Sequence, residues 1–387
     1  MIELKGITWD HSRGFTPLVA CCQRYHEQHP YVDVQWYKRS LQSFADFSVE
    51  TLANDYDLLI IDHPFVGEAY YSGCFIHLNN YIDHYFLDDQ LHDSTGLSYQ
   101  SYTYNGAQLA LPVDAATPVS CYRKDLLKEN REPVPQSWEE LIALAKKNKV
   151  AIPAIPVDIL MNFYTFCIAC GHQPFTSREE MINEETGLQA LEMMSELYSY
   201  LDELMFSCNP IAVAEMMSSS DEYWYCPFTY GYSNYVRKNY ASKLLTYDDI
   251  ISYNGIKLRS TLGGTGIAVS AYSKHINLAV EVACMLTSRA IQRGLYVEYG
   301  GQPAYLEAWK NKEVNQLCNN YFQNTLPALQ RAYLRPRYKG YLQFQHTAGK
   351  VLHDFLKNRG TNAKTILAKL NSLYRKSLPI YDNTPTA

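Results

Sequence analysis

No stretch of the sequence approaches the ~18 uninterrupted apolar residues that a membrane-spanning helix needs. Positive charge is not in excess: 34 Lys and Arg stand against 40 Asp and Glu, a formal net charge of -6. That balance argues against nucleic acid as a partner, because neutralising a phosphate backbone requires a basic face. There is no internal repeat, no low-complexity tract and no long charged run. A nucleophile elbow, a His-Glu-x-x-His zinc motif and a P-loop are all missing, so the common hydrolytic and phosphate-transfer signatures are absent. No cofactor motif stands out, and no cofactor is expected. The opening Met1-Ile2-Glu3-Leu4-Lys5-Gly6 lacks the apolar core of a signal peptide. The chain therefore reads as cytoplasmic as written, or as periplasmic or extracellular if an export signal was removed.

What is present is a globular composition, 47% hydrophobic and 19% charged, on 387 residues. That length is comfortable for two domains and long for one core. Ten cysteines (Cys21, Cys22, Cys74, Cys121, Cys167, Cys170, Cys208, Cys226, Cys284 and Cys318) follow no regular framework. So many thiols without a framework suit a reducing compartment better than an oxidising one. Cys167-x-x-Cys170 is the one suggestive pair, but no second pair or His cluster of zinc spacing accompanies it, and a buried helical role is expected. Tyrosine is abundant, 33 against 5 Trp. Its ring and hydroxyl suit pocket walls as well as polar-rimmed cores, and most of these tyrosines are expected in the core.

The first third alternates strands and helices. Lys5 to Trp9 reads as a strand, and a helix follows with Pro17 in its first turn and Leu18, Cys21, Cys22 and Tyr25 on one face. Val32, Val34 and Trp36 alternate as in a half-buried strand, Leu41 to about Asn54 is helical, and Tyr56 to Asp62 is a continuous apolar strand. Strand, helix, strand, helix, strand implies parallel pairing with right-handed crossovers, and ligands of such sheets sit beyond the carboxyl ends of the strands. Those ends carry Asp10-His11-Ser12-Arg13, Lys38-Arg39-Ser40 and Asp62-His63-Pro64-Phe65. Three strands thus bring polar and charged side chains to one edge.

Further on, Pro118 to Arg123 reads as a strand and Ser137-Trp138-Glu139-Glu140 as a capping box opening a helix. Helices are expected near Asp158 to Cys170 and Glu184 to Leu204, and a short strand near Leu244 to Tyr247. Gly263-Gly264-Thr265-Gly266 precedes an alternating strand, not a helix, and lacks the Lys-Ser/Thr ending of a phosphate loop. From His275 the chain is mostly helical.

Several of these segments, in this order, resemble the large extracellular solute-binding proteins of ABC importers, the family-1 group that includes many sugar receptors. Leu111-Pro112-Val113-Asp114-Ala115-Ala116-Thr117-Pro118-Val119 is similar to that family's hinge strand, and Tyr122-Arg123-Lys124-Asp125-Leu126-Leu127 to its continuation. Pro135-Gln136-Ser137-Trp138-Glu139-Glu140-Leu141 looks like its helix start, and Gly263 to Ser270 with Ser273-Lys274-His275 like its return strand. Gln302-Pro303-Ala304 and Arg335-Pro336-Arg337 echo two later segments. Each motif is only moderately specific; their order carries the likeness.

The resemblance implies an α/β, two-lobed periplasmic-binding-protein fold of type II, its lobes joined by hinge strands with a ligand cleft between them. Residues 1-113 with about 266-325 would form the N-terminal lobe, and 114-265 with about 326-387 the C-terminal one. It further implies non-catalytic binding of a small polar ligand, carbohydrate-like or anionic, by hinge closure. An ABC permease is the partner if the protein is exported; a sensor or carrier role follows if it is not. A monomer is expected. By motif position the ligand-binding candidates are Trp9, Asp10, His11, Arg39, Asp62, His63 and Asp114, with Asn162, Tyr230, Gly264 and Arg337 across the cleft. Each has a structural alternative: Asp62 and Asp114 could cap the following turn, Trp9 could be core, and the histidines could be satisfied internally. Arg13, Arg39 and Arg337 could be surface ion pairs; two of them at the ligand would indicate a carboxylate or phosphate. Two other classes stay open: an enzyme using Asp10, His11, Asp62 and His63, and a metal-ion receptor using tyrosines such as Tyr70-Tyr71, which lie in a helical stretch.

Overall fold

A computed structural model of the chain describes residues 1–41 and 49–379. The alternating first third folds as β1 (Ile2–Trp9), α1 (Ser12–Gln28), β2 (Val32–Arg39), α2 (Val49–Asp55), β3 (Leu58–Ile61) and α3 (Val66–Ser72). The helix expected from Leu41 to about Asn54 lies largely outside the described residues, except where α2 covers it. Then come β4 (Leu111–Ala116), β5 (Pro118–Tyr122), α4 (Trp138–Ala145), α5 (Pro156–Ala169), α6 (Glu184–Tyr198), β6 (Tyr225–Tyr230) and β7 (Thr246–Asp248). After β8 (Gly263–Val269) the main helices are α7 (Ile276–Thr287), α8 (Tyr341–Asn358) and α9 (Ala363–Ser377).

The chain divides into two units, Met1–Ala116 with Gly263–Gln323 and Thr117–Leu262 with Asn324–Ala387. It therefore passes between them three times. These crossings lie a few residues from the expected boundaries, for a reason visible in the ladder. Gly263, Gly264 and Thr265 pair with Ala116, Ala115 and Asp114, which binds both segments into the first unit's sheet.

That sheet has the order β2-β1-β3-β8-β4. β1 is parallel to β2 and to β3, as the crossover pattern predicts, while β8 runs antiparallel to both β3 and β4. Leu58, Leu59, Ile60 and Ile61 are completely buried, which is why β3 reads as an unbroken apolar run: both faces of a central strand are covered. On α1, Leu18, Cys21, Cys22 and Tyr25 face the core as their spacing predicts. The helix start differs from expectation. His11 caps α1, so the helix opens at Ser12 and Pro17 sits inside it, not in its first turn. The start signal is a side-chain acceptor at His11, and the proline does not mark it.

The second unit holds a three-stranded antiparallel sheet of order β6-β5-β7 and the helices α5, α6, α8 and α9. Its interior is built from aromatic edges: Phe175 meets Tyr164, Tyr341, Phe344 and Tyr374 at centroid distances of 5.3, 6.0, 5.6 and 5.3 Å. Tyr164, Tyr198, Tyr225, Tyr235, Tyr247, Tyr333 and Tyr341 are fully buried, as expected for most tyrosines. Ser137 caps α4, its Oγ accepting from the Glu140 N–H at 3.3 Å. The reciprocal bond runs one residue further back than a standard box, with Glu140 accepting from the Gln136 N–H at 2.7 Å. The helix expected from Glu184 to Leu204 stops at Tyr198 and resumes as a 3-10 turn, Glu203–Ser207.

Candidate functional site

In the first unit, β1, β2, β3 and β4 all point the same way, since β8 is antiparallel to both β3 and β4. Their carboxyl ends and the start of β8 share one edge. Trp9 and Arg39 are register partners there. Asp10 and His11 follow β1, Asp62 and His63 follow β3, Asp114 lies near the end of β4, and Gly264 opens β8. Eight of the eleven candidates thus collect at one sheet edge.

Their environments differ sharply. Asp10 is exposed and pairs with Lys38 Nζ at 2.8 Å. His11 is half-buried, and its Nδ1 accepts from the Arg13 N–H at 2.9 Å. Burial lowers its pKa to about 4, Arg13 adding to the effect and Asp10 opposing it. The ring is neutral at pH 7, which the capping bond demands. Burial likewise draws the half-buried Arg39 guanidinium down to about 10, still fully charged at neutral pH. Asp62 Oδ1 accepts from the His63 N–H at 2.9 Å and starts the 3-10 turn His63–Phe65. The capping alternative for Asp62 is thus realised. His63 is wholly buried, with Nδ1 3.2 Å from Asp62 Oδ1 and its ring edge-on to Tyr102 at 6.4 Å.

Trp9 belongs to the hydrophobic core of this unit. Its ring packs so closely on Gly14 that a Cβ there would lie 2.3 Å from it. Asp114 does not cap a turn. It is buried and takes two parallel bonds from Arg13, Nε to Oδ2 at 2.9 Å and Nη2 to Oδ1. Burial pushes the Asp114 carboxyl up, and the facing guanidinium opposes that push. Arg13 is therefore no surface ion pair; it is 4% exposed. Gly264 has φ +96°, and a Cβ on it would stand 2.3 Å from the Asp114 carbonyl oxygen. Only glycine allows β8 to approach β4 this closely.

The other three candidates lie in the second unit. Asn162, on α5, is buried and donates from Nδ2 to the Tyr198 hydroxyl at 2.9 Å. Tyr230, half-buried at the end of β6, shares a 2.9 Å hydrogen bond with Thr261 Oγ1. Arg337 is half-buried. One residue here escaped sequence reasoning. Asp158, one turn before Asn162 on α5, is 8% exposed, and its Oδ2 has no hydrogen-bond partner among the described residues. Burial raises its carboxyl to about 7. An acidic residue at the third position of a helix reads as ordinary first-turn charge, so the sequence offers no signal for it.

Among the described residues no group of three or more His, Cys, Asp or Glu is placed to hold a metal ion. Tyr70 and Tyr71 lie in α3, their rings edge to face at 5.5 Å and both packed against Tyr104. Cys167 is buried in α5 and Cys170 partly so; both thiols are pushed up by burial.

A family model described as bacterial extracellular solute-binding protein matches residues 20–319. Among solved structures, maltose-bound MalE3 of T. maritima is similar with a TM-score of 0.85 and 18% identity, over 98% of this chain and 100% of that one. An ABC transporter solute-binding protein from Thermotoga lettingae TMO, bound with alpha-D-tagatose, matches at a TM-score of 0.83 and 16% identity, over 97% and 100%. One from Agrobacterium radiobacter K84, in complex with ribitol, matches at 0.80 and 18%, over 97% and 99%. The fold is accordingly the two-lobed α/β fold of periplasmic binding proteins. The matched description is of extracellular proteins, so the cytoplasmic placement suggested by the thiols finds no support here. No helix among the described residues is long and apolar enough to cross a membrane.

Proposed function

From the premise that this chain belongs to the family of bacterial extracellular solute-binding proteins, we propose that it captures a small polar ligand, sugar-like or anionic, without transforming it. Its role in this reading is that of the receptor of an ABC importer, working as a monomer outside the cytoplasm. The observation that carries the reading is the convergence of Asp10, His11, Arg39 and Asp62 on one sheet edge of the first unit, where the buried His63 follows Asp62. Carboxylates and a guanidinium placed together share hydroxyl pairs, the mode by which polyols are held. Trp9 in the core and the buried Arg13–Asp114 pair anchor the same strand ends, and Gly264 lets the strands close up. Asn162, Tyr230 and Arg337, all within the second unit, are proposed as further ligand-binding residues. The three chain crossings, two beside strands at Ala116–Thr117 and Leu262–Gly263 and one within the helix Tyr321–Gln330 at Gln323–Asn324, are the proposed flexing points during capture.

The relatives' ligands guide the choice of probes. Maltose, ribitol and tagatose belong to the structures that carry them; for this chain they define the first compounds to try. Arg39, neutralised by no titration below about 10, adds sugar acids and sugar phosphates to the set. Native mass spectrometry of the purified chain should show one bound molecule of this class, released chemically unchanged on denaturation. An Asp62→Ala variant that still folds should lose it. A bound compound that is consumed over time, with consumption abolished in Asp62→Ala, would replace the receptor reading by an enzymatic one.

A further inference from the structure

No disulfide joins any of the ten cysteines in this structure, but the thiols are not equivalent. β5 and β6 pair antiparallel, and their register sets Cys121 directly opposite Cys226, with Tyr122 opposite Tyr225 beside them. Residues opposed in such a ladder project to the same face with Cβ atoms about 4.5–5.5 Å apart. A disulfide asks for Cβ atoms about 3.5–4.5 Å apart and Cα atoms within about 4.4–6.8 Å. The two ranges meet at their limits, so a small inward shift suffices. The ladder also has slack at this place, since the register shifts between Val119 and Cys121.

Two other cysteine couples are arranged differently. Cys21 and Cys22 are adjacent in α1, and Cys22 Sγ accepts from Trp36 Nε1 at 3.2 Å. Cys167 and Cys170 lie a helical turn apart, and Cys170 Sγ is 3.7 Å from Met193 Sδ. Neither couple faces across a ladder.

We propose that Cys121 and Cys226 form a latent cross-strand disulfide, a redox site that staples β5 to β6 in the second unit. The oxidant is a small disulfide such as oxidised glutathione. One cysteine thiolate attacks it, releasing one glutathione thiol and leaving a mixed disulfide; the second cysteine then displaces the other glutathione thiol. Two cysteine thiols lose two electrons and two protons in all, and one oxidised glutathione becomes two reduced ones. Both cysteines are completely buried, so the exchange belongs to the period when this sheet is still open during folding. Burial pushes the Cys121 thiol up to about 12 and Cys226 further, which keeps the closed, reduced form inert. The site is independent of what the protein binds. It bears instead on how a chain of an extracellular family carries ten thiols in an oxidising setting.

The test is to unfold the full chain in guanidinium chloride with reductant, refold it in a glutathione redox buffer, and alkylate and digest it without reduction. The expected result is a linked peptide joining Cys121 to Cys226, eight of the ten cysteines alkylated, and a Tm above that of chain refolded with reductant. Cys226→Ala should show no linked peptide and no difference in Tm between the two buffers. The same digest on chain secreted into an oxidising compartment, without refolding, gives an independent reading. Alkylation of all ten thiols in both preparations, or linked peptides that exclude Cys121 or Cys226, would overturn the proposal.

Discussion

A half-buried histidine and a buried aspartate set opposite pH slopes on stability. The capping ring of His11 has its pKa lowered from 6.5 to about 4, because burial and the adjacent Arg13 disfavour the imidazolium. Its contribution is complete above about pH 6.5 and disappears as pH falls through 4. Asp158 behaves in the reverse sense: burial raises its carboxyl from 3.8 to about 7, so the folded chain holds a proton that the unfolded chain has released. Stability contributed there declines as pH rises from about 4 to 7 and is flat beyond. Asp158→Asn should therefore raise stability at pH 8, on the order of 2 kcal/mol, and change it little at pH 4. Calorimetric Tm at the two pH values checks this; an equal effect at both would contradict the assignment. The Arg13–Asp114 pair makes a third expectation. Removing either partner leaves a buried charge alone and should cost ~3–5 kcal/mol in denaturant unfolding, with strong coupling in a double-mutant cycle. Asp114 is recognisable from its motif, but its partner is not: Arg13 lies 101 residues away, and no local pattern connects them. Asp158 is illegible for a related reason, since only tertiary burial distinguishes it from an ordinary helix-start carboxylate.

Elements are far more readable, because their signals are local. Full burial of Leu58–Ile61 follows from an unbroken apolar run, and the one-sided burial of α1 from its spacing. Where element reasoning slips, a side-chain hydrogen bond is the cause. Pro17 suggests a helix start, but His11 caps the chain a turn and a half earlier, and the proline is absorbed inside α1. Glycine chemistry is also legible at this scale. The strand that follows Gly263-Gly264-Thr265-Gly266 distinguishes this cluster from a phosphate loop. Its purpose emerges from the ladder: Gly264 has φ +96°, and any Cβ added there would meet the Asp114 carbonyl oxygen at 2.3 Å. Gly264→Ala should cost at least about 2 kcal/mol in denaturant unfolding, whereas Gly255→Ala, with nothing within 4 Å, should cost less because strain alone opposes it. Equal costs would mean that the close approach of β8 and β4 is not what requires glycine.

At the scale of the whole molecule, motif order carries more than any motif does. A hinge-strand segment, a capped helix and a glycine-rich return strand are each common, yet their sequence along the chain points to a fold that three solved relatives share at 16–18% identity. Ligand identity is not encoded in that order. It depends on a handful of side chains at strand ends, and those ends carry Asp10, Lys38, Arg39 and Asp62. Capture of a small polar ligand without chemistry is the central claim, and thermal unfolding across a panel of sugars, polyols, sugar acids and sugar phosphates tests it most directly. Saturation at about 100 times Kd stabilises a folded receptor by roughly 2.7 kcal/mol, a shift of several degrees. Such a rise in Tm is expected for at least one compound of the panel, diminished in Arg39→Ala or Asp62→Ala. An unchanged Tm across the whole panel would contradict it.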